Sequence, residues 1–309
     1  FNVSDKLREG MNTLTVLVLK WCDGSYMEDQ DKFRMSGIFR SVYLLSRPRT
    51  AIRDYFIHTP IQWGSSDLTE ATGATGTSAP IAQSATISVD FDFYGKTAQP
   101  VSLAVLDAAG HTVAQGAAQP VPAAEQKPVT DHTAFVPRAH ADLTLENPTL
   151  WNAEEPYLYT LVIREKEEAI EEHVGIREIS VKDGFIYLNR CTFKIHGVNR
   201  HDSDPVTGFT ISQDQMLRDL RVMKEHNVNG IRTSHYPNTP QFYDLYDRLG
   251  FYVVGEADGE SHGMNSVILG PGEDALHIWN KRISDNPDWI EPVCDRVRRS
   301  VERDKNHAS

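Results

Sequence analysis

Residues 228–237, Val228-Asn-Gly-Ile-Arg232-Thr-Ser-His235-Tyr-Pro237, run a short aliphatic strand into a cluster bearing arginine and histidine. What flanks this stretch decides the architecture. Upstream, Ser212-Gln-Asp-Gln215 has the spacing of a capping box, in which serine and glutamine satisfy each other's orphan backbone donors. Met216, Leu220 and Met223 follow at helical spacing, which predicts an amphipathic helix ending near Asn227. Before that helix, Lys194 to Val198 reads as a strand leading to Asn199-Arg200-His201. Downstream, Thr239 as N-cap and Pro240 at the first helical position open a second helix. Phe242, Leu245, Tyr246 and Leu249 form its apolar face, and Gly250 can take the left-handed cap conformation. Phe251 to Val254 is a third strand delivering Gly-Glu-Ala-Asp, and Trp289 to Asp304 predicts a last helix with Val293, Val297 and Val301 on one face. Strand and helix in this alternation mean parallel βαβ units, because only a helical crossover returns a strand in parallel. Such units are too few here to close a barrel of roughly 250 residues, and a parallel sheet needs both faces covered. The missing strands are expected beyond Ser309, and an open sheet edge predicts poor solubility for the isolated piece.

The earlier part of the chain has a different grammar. Residues 13–20 and 39–45 are rich in β-branched and aliphatic residues and read as strands, separated by a polar loop from Cys22 to Gly37. From about residue 50 to 178 the pattern stays all-β, with clear alternation at 88–94 and 157–163. Strands at this density suggest a β-sandwich of immunoglobulin-like size, roughly 100 residues. Two biased stretches, 64–87 and 116–129, read as solvated loops. The chain opens at Phe1 and its first methionine is Met11, so an interior piece of a longer protein is expected.

Composition narrows the partners. A formal net charge of −12 over 309 residues argues against nucleic acid and against anionic membrane surfaces, both of which reward clustered Lys and Arg. No apolar run approaches the roughly 20 residues of a membrane span, and residues 1–30 lack a signal-peptide layout. Cys22, Cys191 and Cys294 form no C-x-x-C pair, which suits a reducing compartment and predicts a cytoplasmic address.

Polar residues gather where the parallel strands end: Asn199-Arg200-His201, Arg232 to His235, and Glu256 to His262. In an α/β barrel the carboxyl ends of the strands carry the active site. The remaining histidines lack such a setting and read as surface or structural. Glu260-x-His262 can present a carboxylate and an imidazole to one side, which suits a divalent cation such as Mg²⁺ or, more blandly, a Glu–His hydrogen bond. The acidic run Glu28-Asp29-Gln30-Asp31 is by default a solvated loop, or else lends a carboxylate to a neighbouring sugar or cation site.

At these residues the chain resembles glycoside hydrolase family 2. Asn229-Gly-Ile-Arg232-Thr-Ser-His235-Tyr-Pro237, with Phe242-Tyr243, Asp247, Gly250 and Phe251-Tyr-Val-Val254, matches the family signature at every defined position. Trp21 to Arg40, Gly197-Val-Asn-Arg-His201 and Glu260-Ser-His-Gly263 resemble the large bacterial cytoplasmic β-galactosidases within it. The resemblance implies a multidomain β plus α/β chain. Residues 1–48 would be the end of a jelly-roll sugar-binding domain, 49–178 an immunoglobulin-like sandwich, and 179–309 the first three β/α units of a TIM barrel. It implies retaining hydrolysis of β-galactosides in the parent protein, with two carboxyls ~5 Å apart. Neither the acid/base nor the nucleophile lies in this chain, so the isolated piece is expected to be inactive, and its parent a homo-oligomer. Carried over by position, Asp31 would contact galactosyl hydroxyls and a Na⁺ ion, and His201 and His235 would hydrogen-bond the galactosyl ring. Arg232 would brace the site, and Glu260 and His262 would ligate Mg²⁺. Arg190 replaces a turn glycine, Gly255 an aspartate and Ala308 a proline of the family pattern. A β-glucuronidase or β-mannosidase of the same family, and a non-catalytic carbohydrate-binding module, are the alternatives. The former should lack both the acidic loop and the Glu260-x-His262 pair.

Overall fold

The computed structural model describes residues 2–30, 35, 37–64, 80–122, 136–262 and 283–309. Its central body is two antiparallel sheets packed face to face. One contains β1 (Ile52–His58), β2 (Ile61–Trp63), β3 (Ala82–Phe93), β6 (Gln119–Pro120) and β7 (Arg138–Glu146), in the order β1-β3-β7-β6 with β2 also on β3. The other contains β4 (Val101–Leu106), β5 (Thr112–Ala117), β8 (Tyr159–Glu165) and β9 (Glu168–Val174), in the order β5-β4-β8-β9. Period-two patterning decides which side chains face inward. Ile87, Val89, Phe91 and Phe93 of β3, Leu103 and Val105 of β4, Leu143 of β7, and Leu161 and Ile163 of β8 form one buried core. The alternation legible at 88–94 extends back to Ala82, so the end of the biased stretch 64–87 is strand rather than loop, with Ala85 and Ile87 pointing in. Likewise residues 116 and 117 belong to β5, and Gln119–Pro120 pairs with β7.

The alternating unit follows a small antiparallel sheet of β10 (Ile179–Lys182), β11 (Phe185–Leu188) and β12 (Cys191–Thr192). Asn189 and Arg190 turn β11 into β12 with φ of 49° and 65°. Both lie in the left-handed region that a two-residue hairpin turn demands, so Arg190 bears a conformational cost glycine would not. Its guanidinium lies 5.0 Å from the Trp63 ring centroid and 3.6 Å from Glu178.

β13 (Gly197–Arg200), β14 (Gly230–Thr233) and β15 (Tyr252–Val254) then form a parallel sheet in that order, with Asn199 opposite Arg232 and Arg232 opposite Val254. The strands start two or three residues later than patterning suggests at Lys194 and Val228. Close packing explains the glycines here: a Cβ on Gly197 would sit 2.9 Å from the Gly230 carbonyl oxygen. Helix α2 (Gln213–Glu225) joins the first two strands and α3 (Pro240–Leu249) the next two. Met216, Leu220, Ile231, Phe242, Leu245, Tyr246 and Phe251 make their shared core, while Leu249, expected on the apolar face, is partly exposed. The capping box is half formed. Ser212 Oγ accepts from the Gln215 N–H at 3.3 Å, but the Gln215 side chain turns away to donate to the Ser203 carbonyl. Gly250, at φ 73°, caps α3 as the sequence predicts. Helix α4 (Ile290–Asp304) follows a 3₁₀ turn, and its Val293, Val297 and Val301 stripe faces outward. After it, the Val253 N–H donates to the Ser309 carbonyl at 2.9 Å, so the chain returns to the sheet beside β15.

The two strands expected at 13–20 and 39–45 are absent. Neither segment pairs with a strand among the described residues, and Leu14, Leu17, Val42, Tyr43 and Leu44 stand exposed. An aliphatic run becomes a strand only where a neighbour takes its backbone groups. Between them lies a single turn of helix, α1 (Gly24–Met27). Among the described residues no helix is long and apolar enough to cross a membrane.

Trp151 ties the sandwich to the parallel unit. Its fully buried indole N–H donates to the Asp247 carbonyl at the end of α3 at 2.9 Å, and its ring meets Tyr252 edge-on at 5.9 Å. Lys224 of α2 donates to the carbonyls of Ala153 (2.9 Å) and Gly250.

Candidate active site

The parallel register carries three sequence-predicted residues to one end of the sheet. His201 follows β13, Arg232 lies on β14, and His235 follows it two residues past the strand end. The imidazoles of His201 and His235 lie edge-to-face with centroids 5.3 Å apart. His201 Nδ1 is 3.4 Å from the Tyr236 hydroxyl, which in turn accepts the Asp202 N–H at 3.0 Å. Burial pushes the Tyr236 phenol up to about 12, so it stays a protonated donor. The peptide bond between Ser234 and His235 is cis.

Glu256, named in the third strand-end cluster but given no role from the sequence, sits between these groups. One of its oxygens accepts from Arg232 Nε at 2.7 Å and lies 2.6 Å from Nη2, and the other lies 3.0 Å from His235 Nδ1. Its backbone N–H donates to the fully buried Thr233 hydroxyl at 3.0 Å. The signal was available in the pairing: Val254 is opposite Arg232, so a residue two further on shares its face of the sheet.

Behind this front row is a buried ionic layer. Arg200 donates to Asp202 at 2.6 Å and to Asp219 at 2.8 Å, and its guanidinium lies 4.2 Å from the Phe242 ring centroid. Burial opposes its charge, yet the two aspartates carry Arg200 above its ordinary value. Arg40, from the amino-terminal segment, donates to the Pro237 carbonyl at 3.2 Å and lies 3.6 Å from Asp202, while burial pulls its guanidinium down. A cavity of about 180 Å³ lies between Phe39, Arg40, Phe209, Tyr236, Asp258 and Arg303.

The acidic loop is docked rather than solvated, with Asp29 and Gln30 buried. The Asp29 N–H donates to the Glu260 carbonyl (2.7 Å), the Glu260 N–H to the Met27 carbonyl (2.8 Å), and the Gln30 amide to Asp258. Arg296 of α4 lies 2.6 Å from Glu28. Glu260 Oε1 lies 2.7 Å from His262 Nε2, so the pair makes the contact of the bland alternative. Its other oxygen, Oε2, is buried without a hydrogen-bond partner, as is Gln30 Oε1. An orphaned carboxylate oxygen beside an imidazole fits a hard cation, which could take up that oxygen. Among the described residues no three His, Cys, Asp or Glu side chains converge on one point, so further ligands would have to come from elsewhere. Asp31 lies outside the described residues.

Three models of one family match in succession along the chain. The sugar-binding domain of glycosyl hydrolases family 2 matches residues 1–48, a further family 2 domain matches 74–177, and the family 2 TIM barrel domain matches 179–309. The chain belongs to glycosyl hydrolase family 2. Curated family 2 relatives include a protein named beta-galactosidase from Actinobacillus pleuropneumoniae, 39% identical over all of this chain and 29% of its own length. Another, from Erwinia tasmaniensis, is 37% identical over all of this chain and 27% of its own. The chain thus spans under a third of the curated relatives it matches. Among solved structures, a beta-D-glucuronidase from Dictyoglomus thermophilum superposes with a TM-score of 0.66 at 21% identity, covering 91% of this chain and 40% of that one. A Ruminococcus gnavus glucuronidase in complex with a C6-substituted uronic isofagomine gives 0.65 at 24%, covering 90% and 39%. At such identities these structures speak to fold alone.

Proposed function

We propose that these residues form part of a retaining β-galactosidase that releases terminal non-reducing β-D-galactose from β-galactosides such as lactose. The observation that carries this reading is the convergence of His201, Arg232 and His235 at the carboxyl ends of adjacent parallel strands, in a chain whose curated relatives are named beta-galactosidase. In this reading residues 1–48 belong to a jelly-roll, 49–178 to an immunoglobulin-like sandwich and 179–309 to the first units of a TIM barrel. The pyranose ring rests against His201 and His235, whose imidazole nitrogens hydrogen-bond hydroxyls more strongly as the ring flattens toward the oxocarbenium-like transition state. Arg232 holds the strand end rigid, and the ionic layer of Arg200, Asp202 and Arg40 fixes the backbone behind it.

Glu260 and His262 would hold Mg²⁺, which when bound supplies fixed positive charge beside the reacting sugar. Asp31 would reach a Na⁺ ion and the galactosyl hydroxyls. The acid/base and nucleophile carboxyls are assigned to no residue here, so the 309-residue chain alone is inactive in this reading. A cytoplasmic, homo-oligomeric parent completes the proposal, with no nucleic-acid or membrane partner.

The full-length protein assayed on 4-nitrophenyl β-galactoside and β-glucuronide, with and without Mg²⁺, tests this. Turnover of the galactoside, raised by Mg²⁺, is the expected result. Preference for the glucuronide would transfer the assignment to the in-family rival, and binding of sugar without cleavage would favour the non-catalytic module.

A further inference from the structure

Glu256 touches both members of the strand-end cluster nearest it, and the family resemblance gave it no role. We propose that Glu256 is the positioning residue of this site, fixing the tautomer and tilt of the His235 imidazole and the orientation of the Arg232 guanidinium. The inference rests on the reading that His235 faces the sugar.

The geometry divides the carboxylate cleanly. Oε1 serves Arg232, with Nε at 2.7 Å and Nη2 at 2.6 Å, and Oε2 serves His235 Nδ1 at 3.0 Å. An ionised carboxylate only accepts, so Nδ1 must carry the proton, and the ring's far nitrogen, Nε2, becomes the atom that meets a ligand. Unrestrained, an imidazole has two tautomers and a broad terminal torsion. A partly exposed arginine has many rotamers, and each ordering costs entropy at the moment of binding. One carboxylate removes both freedoms in advance. It is itself held, because its backbone N–H is tied to the buried Thr233 hydroxyl at 3.0 Å.

The test uses the full-length protein and 4-nitrophenyl β-galactoside. Glu256→Gln keeps shape and length but offers an acceptor to only one partner, and its NH₂ before Nδ1 calls for the opposite tautomer. Losing one aligned donor predicts a kcat lower by on the order of 10²-fold, with KM changed less than ~3-fold. Glu256→Asp keeps the charge one methylene shorter and should fall between. If Glu256 acts through His235 as well as Arg232, Glu256→Gln should cost clearly less in a His235→Ala background than it does alone, only the part carried by Arg232 remaining. Multiplying losses would overturn the proposal. A crystal structure of Glu256→Gln gives a readout independent of turnover: the His235 ring and Arg232 should take new orientations. Unchanged orientations would also overturn it, as would a failure of both variants to fold, which would make Glu256 a purely structural group. Should the unmodified protein hydrolyse neither sugar, the function assignment falls while the crystallographic comparison still decides the positioning role.

Discussion

Replacing Trp151 should uncouple the sandwich from the parallel unit. The indole is fully buried, donates to the Asp247 carbonyl and packs on Tyr252. Above it, Gly175 leaves so little room that a Cβ there would fall 2.8 Å from Trp151 Cγ and 2.5 Å from Ala308 Cβ. Trp151→Phe keeps most of the ring and strands a buried carbonyl acceptor, a loss of about 1–3 kcal/mol. Trp151→Ala also opens a cavity between two rigid layers that close poorly on it, bringing the cost to about 3–5 kcal/mol. Urea denaturation of the 309-residue chain, followed by intrinsic fluorescence and by far-ultraviolet circular dichroism, measures both. The two probes should coincide in the unmodified chain and separate in Trp151→Ala, as the parallel unit melts before the sandwich. Coincident transitions with less than ~0.5 kcal/mol lost in Trp151→Ala would refute the coupling.

Three further outcomes are expected. In the full-length protein His235→Ala should lower kcat on galactosides by ~10²–10³, and near-normal kcat would remove His235 from the transition-state contacts. Glu260→Gln should weaken the dependence of rate on Mg²⁺ concentration, measured by titration after chelation; an identical titration would remove Glu260 as a ligand. Burial opposes protonation of His307, but Asp247, 2.6 Å away, carries its pKa above the ordinary value. Its contribution to stability is therefore full below pH ~6.5 and lost as pH rises through the raised value. The difference in urea midpoint between the unmodified chain and His307→Gln should shrink across that window, and a constant difference would contradict the pairing.

How much could be read in advance depended on what kind of information each element uses. The bounds of α3 were legible, because Thr239, Pro240 and Gly250 are local signals and the helix stripe is periodic, although Leu249 stands exposed and Thr239 makes no side-chain cap bond. The strands at 13–20 and 39–45 were misread because composition reports tolerance for extended backbone, whereas pairing depends on a neighbour. Gln215 was predicted to close a capping box but found the Ser203 carbonyl, a partner set by the turn before the helix. His201, Arg232 and His235 stand together at the carboxyl end of the parallel sheet, where the strand-end clusters in the sequence put them. Glu256 was read only as part of the third strand-end cluster, because its link to residues 232 and 235 exists only once β14 and β15 are in register. Likewise the burial of Asp29 and Gln30 comes from docking on Asp258 and Glu260, which no nearby residue announces.

That docking has a kinetic consequence. Gln30 and Asp258 are 228 positions apart, so their contact closes a very long loop. Loop closure grows with the logarithm of length, and one this long costs on the order of 2 kcal/mol more than a 20-residue loop. That cost falls once the units in between have folded and shortened the loop, so the segment around Glu28 should settle after β13 to β15 have aligned. The acidic wall beside Glu260 would then be laid down on a finished strand end, its order of assembly the reverse of its order in the chain.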